Sequence, residues 1–293
     1  MTAEVTNIST KQSALAGDLS LTIKVSDDQA AVRIVQITDC HLGRDVGERL
    51  VGMDTDESLD HVLALLKAEQ QSASLLLATG DLSNHGTSAA YQRLANKLQD
   101  LPMPSAWLAG NHDSRDLMVE SVGEQRLPRT IHLANWLIVM LDSTLPGKVG
   151  GTLGAKELAL AEQILQANTT AEHVMVCVHH QPVSIGCEWL DEQQITDSDD
   201  FIAMLAKEPR LRAVMWGHVH QAFHTRDARL PNVELFSAPS TCIQFAPNSS
   251  DFQLDQCSPG YRWLDLHRDG RVKTDVSRIT GIDLQVDFES SGY

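Results

Sequence analysis

Residues 106–113 read Ala-Trp-Leu-Ala-Gly-Asn-His-Asp, an apolar run that stops abruptly at polar residues. The run predicts a buried strand, and Gly110 predicts a tight turn directly after it. Asn111, His112 and Asp113 then present an amide oxygen, an imidazole and a carboxylate at the end of that strand. Strand ends of this kind are where α/β proteins bind ligands. Asn, Asp and Gly also crowd ordinary turns, so the other strand ends must decide whether this one is functional.

The same arrangement recurs after other apolar runs of the chain. In each case a predicted strand is followed at once by carboxylates or imidazoles. The side chains concerned are Asp39 and His41, Asp81 after Gly80, the adjacent pair His179 and His180, and His218 and His220 after Gly217. Mixed oxygen and imidazole donors favour Mn, Fe, Zn or Co over Ca or Cu(I). Each motif alone also occurs in turns without a ligand, but their joint occurrence after strands favours a metal site.

The spacing of these donors favours two ions rather than one. Asp39 and His41 lie two residues apart on an extended chain and point to the same side, so they can share an ion. His218 and His220 have the same spacing and can each face a different ion. One ion cannot use seven such donors without crowding, whereas two ions about 3.5–4 Å apart can share a carboxylate. Asp81 is the natural bridge.

The order of predicted elements indicates a layered α/β protein. Apolar patterns predict strands at 19–25, 31–38, 74–79, 105–109, 135–141, 173–178, 211–216, 222–225, 233–236, 261–267 and 272–278, with Asp269-Gly270 as a hairpin turn. Amphipathic patterns predict helices at 57–71, capped by Asp56, at 88–99, at 155–165, and at 198–206, capped by Ser198 or Asp197. Alternating strands and helices imply a largely parallel sheet, and the strand-rich tail implies a second sheet.

We therefore expect a four-layer α/β/β/α sandwich, with two mixed sheets flanked by helices. Residues 18–293 are expected to form a single domain with a strand-rich C-terminal part, after a polar lead-in over residues 1–17. Much of the remaining irregular chain is expected in residues 244–259.

Charge and cysteine content exclude several classes of function. The 39 acidic and 23 basic residues give a net charge of −16, which disfavours nucleic acid and acidic membranes as partners. An anionic substrate would need a local positive charge, which bound divalent cations would supply. The 5 cysteines are widely spread without a Cys-x-x-Cys pair, which favours reduced thiols. Because residues 1–20 lack the apolar core of a signal peptide and no apolar run is of membrane-spanning length, we expect a cytoplasmic protein.

The ordered motifs over residues 34–220 resemble those of the calcineurin-like metallophosphoesterase superfamily: Asp-x-His, Gly-Asp, Gly-Asn-His-Asp, His and Gly-His-x-His. The resemblance implies two sheets flanked by helices, with a dinuclear metal site at the strand ends. It implies that the first ion is bound by Asp39, His41, Asp81 and His220, and the second by Asp81, Asn111, His179 and His218. It implies that His112 is the catalytic histidine and that His41, Asp81, Asn111 and His112 contact the substrate. The implied ions are Fe or Mn, with Zn, Co or Mg as alternatives.

The choice between two adjacent histidines stays open. In the family the histidine ligand precedes a proline element, commonly in His-His-Pro-Pro, whereas this chain has His179-His180-Gln181-Pro182. We assign His179, the first residue beyond the strand, and keep His180 as the alternative.

Three further segments resemble the bacterial class III cyclic AMP phosphodiesterases in particular. They are residues 186–191 (GCEWLD), 239–245 (PSTCIQF) and 259–262 (PGYR), which extend the resemblance over nearly the whole chain. This resemblance implies hydrolysis of 3′,5′-cyclic AMP to 5′-AMP by a hydroxide that bridges the two ions. His112, with Asp113 adjacent to orient it, would protonate the departing 3′-oxygen. Trp189 and Phe245 either wall a purine pocket or fill the core.

Two other functions stay open on the sequence alone. The motifs recognise phosphate and metal rather than the organic part of an ester, so another phosphodiester or phosphomonoester, such as a glycerophosphodiester, is an alternative substrate. The second alternative is a non-catalytic nucleotide- or metal-binding regulator, although such a protein would not need His112. The net charge disfavours a single-stranded DNA nuclease. The expected partner is a small cyclic nucleotide, without nucleic acid or membrane, and the expected assembly is a monomer or homodimer.

Overall fold

A computed structural model describes residues 9–12, 19–26 and 28–292 of the chain. The strands are β1 (Ser9–Gln12), β2 (Leu19–Ile23), β3 (Ala31–Ile37), β4 (Arg49–Leu50), β5 (Met53–Asp54), β6 (Leu75–Thr79), β7 (Ser105–Leu108), β8 (Thr130–Leu133), β9 (Trp136–Met140), β10 (His173–Cys177), β11 (Leu211–Trp216), β12 (His224–Thr225), β13 (Glu234–Ser237), β14 (Gln244–Phe245), β15 (Leu254–Asp255), β16 (Gly260–His267) and β17 (Val272–Arg278). The helices are α1 (Thr55–Glu69), α2 (Ser88–Leu98), α3 (Arg115–Val122), α4 (Gly154–Ala167), α5 (Glu188–Asp191) and α6 (Ser198–Leu205), with a 3₁₀ turn at Glu124–Arg126.

Most of these strands belong to two large mixed sheets. The first sheet has the order β1-β2-β8-β9-β10-β11-β13-β12, in which β9, β10, β11 and β13 are parallel. The second has the order β17-β16-β3-β6-β7, in which β3, β6 and β7 are parallel. The predicted hairpin at Asp269-Gly270 is confirmed, because it joins the antiparallel pair β16 and β17. The short pairs β4-β5 and β14-β15 form small separate sheets.

Three apolar clusters lie between four layers of secondary structure. One cluster separates the two sheets and includes Ile34 of β3 and Leu77 of β6. A second packs the five-stranded sheet against α1, α2 and α3, and a third packs the eight-stranded sheet against α4 and α6. Along β3, Val32 and Ile34 join the inter-sheet cluster while Val35 and Ile37 join the helix side, as alternation along a strand requires. The predicted α/β/β/α sandwich is confirmed.

The cap predicted for the first helix is wrong. Helix α1 begins at Thr55, and Asp54 rather than Asp56 caps it, because the Asp54 carboxylate accepts a hydrogen bond from Glu57 N. Asp56 instead lies in the first turn, where Arg93 Nε donates to it over 3.1 Å. Both aspartates precede the apolar stripe, so the sequence pattern alone does not separate them.

Asp197, one of the two caps predicted for α6, precedes that helix, but its side chain makes no capping hydrogen bond there. Its carboxylate instead accepts hydrogen bonds from Leu153 N (2.9 Å) and Gly154 N (2.6 Å), at the start of α4.

Other differences come from short elements. Helix α3 is not predicted from the sequence, because it has 8 residues and buries only Met118, so its apolar periodicity is faint. Within the expected irregular segment 244–259, β14 and β15 pair as an antiparallel hairpin.

Part of the expected polar lead-in has regular structure. Ser9–Gln12 forms β1, which pairs antiparallel with β2 at the edge of the first sheet. The rest of residues 1–17 lies outside the described residues. Among the residues that the structure does describe, no helix has both the length and the apolar character needed to cross a membrane.

We expect Leu77→Ala to destabilise the protein by about 2–5 kcal/mol, because it removes buried methyl groups between the sheets and leaves a cavity. Leu77 is 0% exposed. The matched control Leu145→Ala makes the same chemical change at a side chain that is 42% exposed, and should stay within about 0.5 kcal/mol. Urea unfolding followed by circular dichroism measures both. Equal losses of stability would contradict the inter-sheet packing.

Candidate metal centre

Strands of both sheets end at the same place. Asp39 and Asp81 follow β3 and β6 of the second sheet, while His179 and His218 follow β10 and β11 of the first. His179 Nε2 lies 3.2 Å from Asp81 Oδ2, and His218 N donates to both carboxylate oxygens of Asp39 over 3.0 Å. These four residues are buried, so the junction of the two sheets is a polar cluster inside the protein.

The backbone at this cluster is strained. The φ angles of five candidate ligands are positive, which is uncommon for residues other than glycine. They are 53° for Asp39, 44° for His41, 50° for Asp81, 63° for His218 and 49° for His220. Such conformations cost about 1–3 kcal/mol each and concentrate at functional sites. The strain therefore supports a site at these strand ends, independently of the residue types.

Gly110 is required by crowding rather than by an unusual φ angle. A side chain at this position would collide with the Asp81 carboxylate and backbone, and would lie 2.7 Å from His179 Cε1. Its φ angle is not among the positive ones. The interpretation of Gly110 as a turn residue is thus incomplete, because its main role is to let β7 approach Asp81 and His179 closely.

Each candidate histidine ligand is held through one ring nitrogen. His179 Nδ1 donates to Thr79 O (2.9 Å) and His220 Nδ1 to Ile243 O (2.8 Å). Two side-chain amides hold the other two histidines. The contacts are His41 Nδ1 to Asn84 Oδ1 at 3.1 Å and His218 Nε2 to Gln193 Oε1 at 3.0 Å. Because one nitrogen of a neutral imidazole donates, the other carries the lone pair that a metal needs.

The remaining donor atoms of the candidate ligands lie close to one another. His41 Nε2 lies 3.2 Å from His220 Nε2, and His179 Nε2 lies 3.2 Å from Asn111 Oδ1. His220 Nε2 is 3.6 Å from an oxygen of Asp39. Ligands bound about 2.0–2.2 Å from one ion at right angles are about 3 Å apart, so these separations fit shared cations.

Four overlapping groups of possible donors result. Asp39, His41 and His220 form one group, and Asp39, Asp81 and His179 form another, with the ligand atoms of each group within 4.8 Å of one another. Asp81 also joins a group with His41 and His112. The structure therefore brings the predicted carboxylate and imidazole ligands together: Asp39 and Asp81 each belong to two groups, and His218 joins a group with His179 and His180.

The electrostatics of the cluster favour bound cations. Burial raises the pKa of Asp39 to about 7, because nothing in its surroundings fully compensates its negative charge. Burial also lowers the pKa of His220 to about 3 and that of His41 well below its usual range, which keeps these imidazoles in the neutral, metal-binding form. Burial opposes the charge of Asp81, but neighbouring His179 lowers its pKa well below the usual range. Divalent ions would balance these carboxylates, so the residues present fit a dinuclear metal centre.

His112 lies at the edge of this cluster and is half-buried. Its backbone N donates to Asp81 Oδ1 over 2.8 Å, and its Nδ1 donates to the carbonyl oxygen of Asn84 over 3.0 Å. The ring centroids of His112 and His41 are 4.7 Å apart. The contact to Asn84 therefore uses Nδ1 of His112 rather than Nε2.

The prediction that Asp113 orients His112 is wrong. The Asp113 carboxylate accepts hydrogen bonds from Leu82 N (3.1 Å), Ser83 N (3.0 Å) and Gly110 N (2.9 Å). It therefore braces the loops after β6 and β7. The His112 ring instead donates a hydrogen bond to the carbonyl oxygen of Asn84, a residue that no sequence pattern distinguishes.

His180 lies beside the cluster, but its ring has other partners. Its Nδ1 is 2.8 Å from Ser143 Oγ, and its Nε2 is 2.9 Å from Val149 O. His180 does form a group with His179 and His218 within 4.8 Å. Since both of its ring nitrogens are engaged while His179 Nε2 faces Asp81, the geometry favours His179 as the ligand.

Phe245 fills the core rather than walling a pocket. It is 1% exposed and stacks on His220, with ring centroids 4.2 Å apart and an interplanar angle of 17°. Trp189 is half-buried and packs edge-on against Phe245 at 5.0 Å, while its Nε1 donates to Ser249 Oγ. Phe245, itself packed against Trp189, thus holds the ring of His220, a candidate metal ligand, in place.

Comparison with known proteins identifies the family. Residues 32–222 match the family model described as calcineurin-like phosphoesterase. The chain therefore belongs to this family of metal-dependent hydrolases.

Individual relatives are similar over most of the chain. A Pseudomonas aeruginosa protein named 3′,5′-cyclic adenosine monophosphate phosphodiesterase CpdA is 41% identical over 265 residues, which cover 90% of this chain and 96% of the relative. The protein of the same name from Escherichia coli K12 is 37% identical over 268 residues, with the same coverage. A solved dimetal phosphatase from Danio rerio shares the fold, with a TM-score of 0.57 and 14% identity over 85% of this chain and 99% of that one.

We expect Gly110→Ala to lose bound metal, because its methyl group would push Asp81 and His179 apart. The control is Gly147→Ala, which strains a left-handed backbone (φ 72°) but adds a carbon with no atom within 4 Å, so it separates general backbone strain from crowding of the metal centre. Elemental analysis after dialysis measures the ions per chain. Equal metal contents in the two variants would contradict the close approach of β7 to the centre.

Proposed function

We propose that this protein hydrolyses 3′,5′-cyclic AMP to 5′-AMP and thereby lowers cyclic AMP signalling. The observation that carries the proposal is the buried cluster of carboxylate and imidazole donors, which has His112 at its edge. The sequence identity of 41% to a cyclic AMP phosphodiesterase, over 90% of this chain, supports the choice of substrate.

The proposed ligands divide into two sets that share Asp81. The first ion would be held by Asp39, His41, Asp81 and His220, and the second by Asp81, Asn111, His179 and His218. The short contacts within each set support this division, for example 3.2 Å between His41 and His220 and 3.2 Å between His179 and Asn111. Fe or Mn suits this mixture of oxygen and nitrogen donors, with Zn, Co or Mg as alternatives.

The chain's own residues supply orientation and a proton. When bound, two divalent ions supply an activated water and positive charge for the phosphoryl oxygens. As the new oxygen–phosphorus bond forms and the bond to the 3′-oxygen breaks, His112 Nε2 gives its proton to that departing oxygen. The hydrogen bond from His112 Nδ1 to Asn84 O fixes the ring in a suitable orientation. Asn111, His41 and Asp81 adjoin the same space and complete the proposed substrate contacts.

We further propose a cytoplasmic protein that acts on a small nucleotide as a monomer or homodimer. Its four buried, unpaired cysteines suit a reducing compartment. The net charge of −16 disfavours nucleic acid and acidic membranes as partners.

The substrate is tested with a panel of 3′,5′-cyclic AMP, 3′,5′-cyclic GMP, bis(p-nitrophenyl) phosphate and a glycerophosphodiester. Each is assayed with Mn²⁺ and with Fe²⁺, and products are separated by chromatography. We expect conversion of cyclic AMP to 5′-AMP. Turnover of another diester without turnover of cyclic AMP would refute the proposed substrate, and turnover of the glycerophosphodiester in particular would favour that alternative.

His112→Ala should reduce kcat by about 10²–10⁴-fold, because it removes the proposed general acid. Metal content should stay unchanged, since His112 is not assigned to either ion. His224→Ala serves as the control, because that ring pairs with Glu234 at the surface, 2.8 Å away. Loss of metal from His112→Ala would show that this histidine is a ligand instead.

Asp81→Asn should weaken both metal positions, because the bridging carboxylate loses its charge. Elemental analysis after dialysis should therefore find fewer than two ions per chain. Asp275→Asn, which neutralises an exposed carboxylate on β17, should retain both. Retention of two ions by Asp81→Asn would refute the bridge.

A further inference from the structure

The four candidate histidine ligands are each held by a hydrogen bond to an acceptor oxygen, and these acceptors are of two kinds. His179 and His220 donate to main-chain carbonyls, at Thr79 and Ile243. His41 and His218 are held by side-chain amides instead, those of Asn84 and Gln193. In the proposed ligand sets His41 belongs to the first ion and His218 to the second, so each ion has one histidine with a side-chain support.

Asn84 is placed by pairing that continues beyond β3 and β6. Asp39 N donates to Gly80 O (2.9 Å) and Leu42 N to Leu82 O (3.2 Å). Asn84 N then donates to Leu42 O over 3.0 Å. This ladder holds the Asn84 amide at a defined position beside the His41 ring.

Asn84 also reaches His112 through a different atom. Its side-chain oxygen accepts from His41 Nδ1, whereas its main-chain oxygen accepts from His112 Nδ1. Replacing the side chain therefore removes the support of a proposed ligand and leaves the support of the proposed general acid in place. This separation makes the two contacts distinguishable by mutation.

Gln193 is placed by the loop that follows α5. Gln193 N donates to Leu190 O (2.9 Å), and its own carbonyl accepts from Gly151 N (3.3 Å). Its side chain is half-buried and reaches His218 Nε2 at 3.0 Å. That contact uses Nε2 of His218 and leaves Nδ1 as the nitrogen for an ion.

We infer that Asn84 and Gln193 are positioning residues, each of which tunes the affinity of one of the two metal positions independently of the other. The inference rests on the proposed division of ligands between the ions. Each amide oxygen fixes the tautomer and the orientation of a ligating imidazole, and loss of such a contact typically costs about 10–100-fold in metal affinity. The main-chain supports of His179 and His220 provide no comparable control by a side chain.

The test compares Asn84→Ala and Gln193→Ala with Asn84→Asp and Gln193→Glu. The acidic variants keep an acceptor oxygen at the same place, so they separate loss of the contact from general damage. Asn135→Ala is the control, because the Asn135 side-chain amide also makes a hydrogen bond within the fold, from Nδ2 to Arg268 O at 2.8 Å, but lies outside the metal centre. Elemental analysis counts Mn per chain after dialysis at low free Mn²⁺, and titration with Mn²⁺ measures the affinity of each step.

Each alanine variant should retain about one ion where the unchanged protein retains two. The weakened binding step should lose about 10–100-fold in affinity, and excess Mn²⁺ should restore the second ion. Asn84→Asp, Gln193→Glu and Asn135→Ala should retain two ions.

Full metal retention by the alanine variants would overturn the inference. So would loss of both ions together, or a failure of the acidic variants to restore binding. Metal counts do not depend on the substrate, so failure of cyclic AMP hydrolysis with the expected counts would refute only the proposed function. Cyclic AMP hydrolysis with unchanged counts would refute only this inference.

Discussion

The candidate metal centre depends on the burial of two carboxylates, Asp39 and Asp81, among imidazoles whose ring nitrogens lie close to one another. Buried charges are costly unless they are paired, and both carboxylates are at most 1% exposed. Within the described residues of this cluster no arginine or lysine pairs with them. Cations held between the two sheets would balance the negative charge of the carboxylates and would be coordinated by the neighbouring ring nitrogens. The cluster is therefore best understood as a metal centre.

The fold accepts local strain in order to build that centre. Asp39, Asp81 and His220 have positive φ angles at the ends of parallel strands, and Gly110 leaves no room for a side chain. The large apolar clusters on both sides of each sheet stabilise the framework that holds these residues. The packing free energy of the layers thus offsets the cost of the positive φ angles at the site.

Much of the fold and the set of donors could be predicted from local sequence signals. Strands such as β6 and β11 are short apolar runs, and each ends at a polar motif, so Asp81 and His218 stand out without a structure. Asn84 and Gln193 do not, because each lies in an ordinary polar loop and gains its role only from loop packing against a histidine. The same limit explains Asp113, whose sequence adjacency to His112 wrongly suggested contact between their side chains.

The most direct test of the metal centre is a crystal structure of the protein loaded with Mn²⁺, with anomalous scattering used to locate the ions. We expect two anomalous peaks about 3.5–4 Å apart with the Asp81 carboxylate between them. One ion should contact His41 and His220, and the other Asn111 and His179. A single peak, or a second ion bound by His180 away from Asp81, would contradict a dinuclear centre bridged by Asp81.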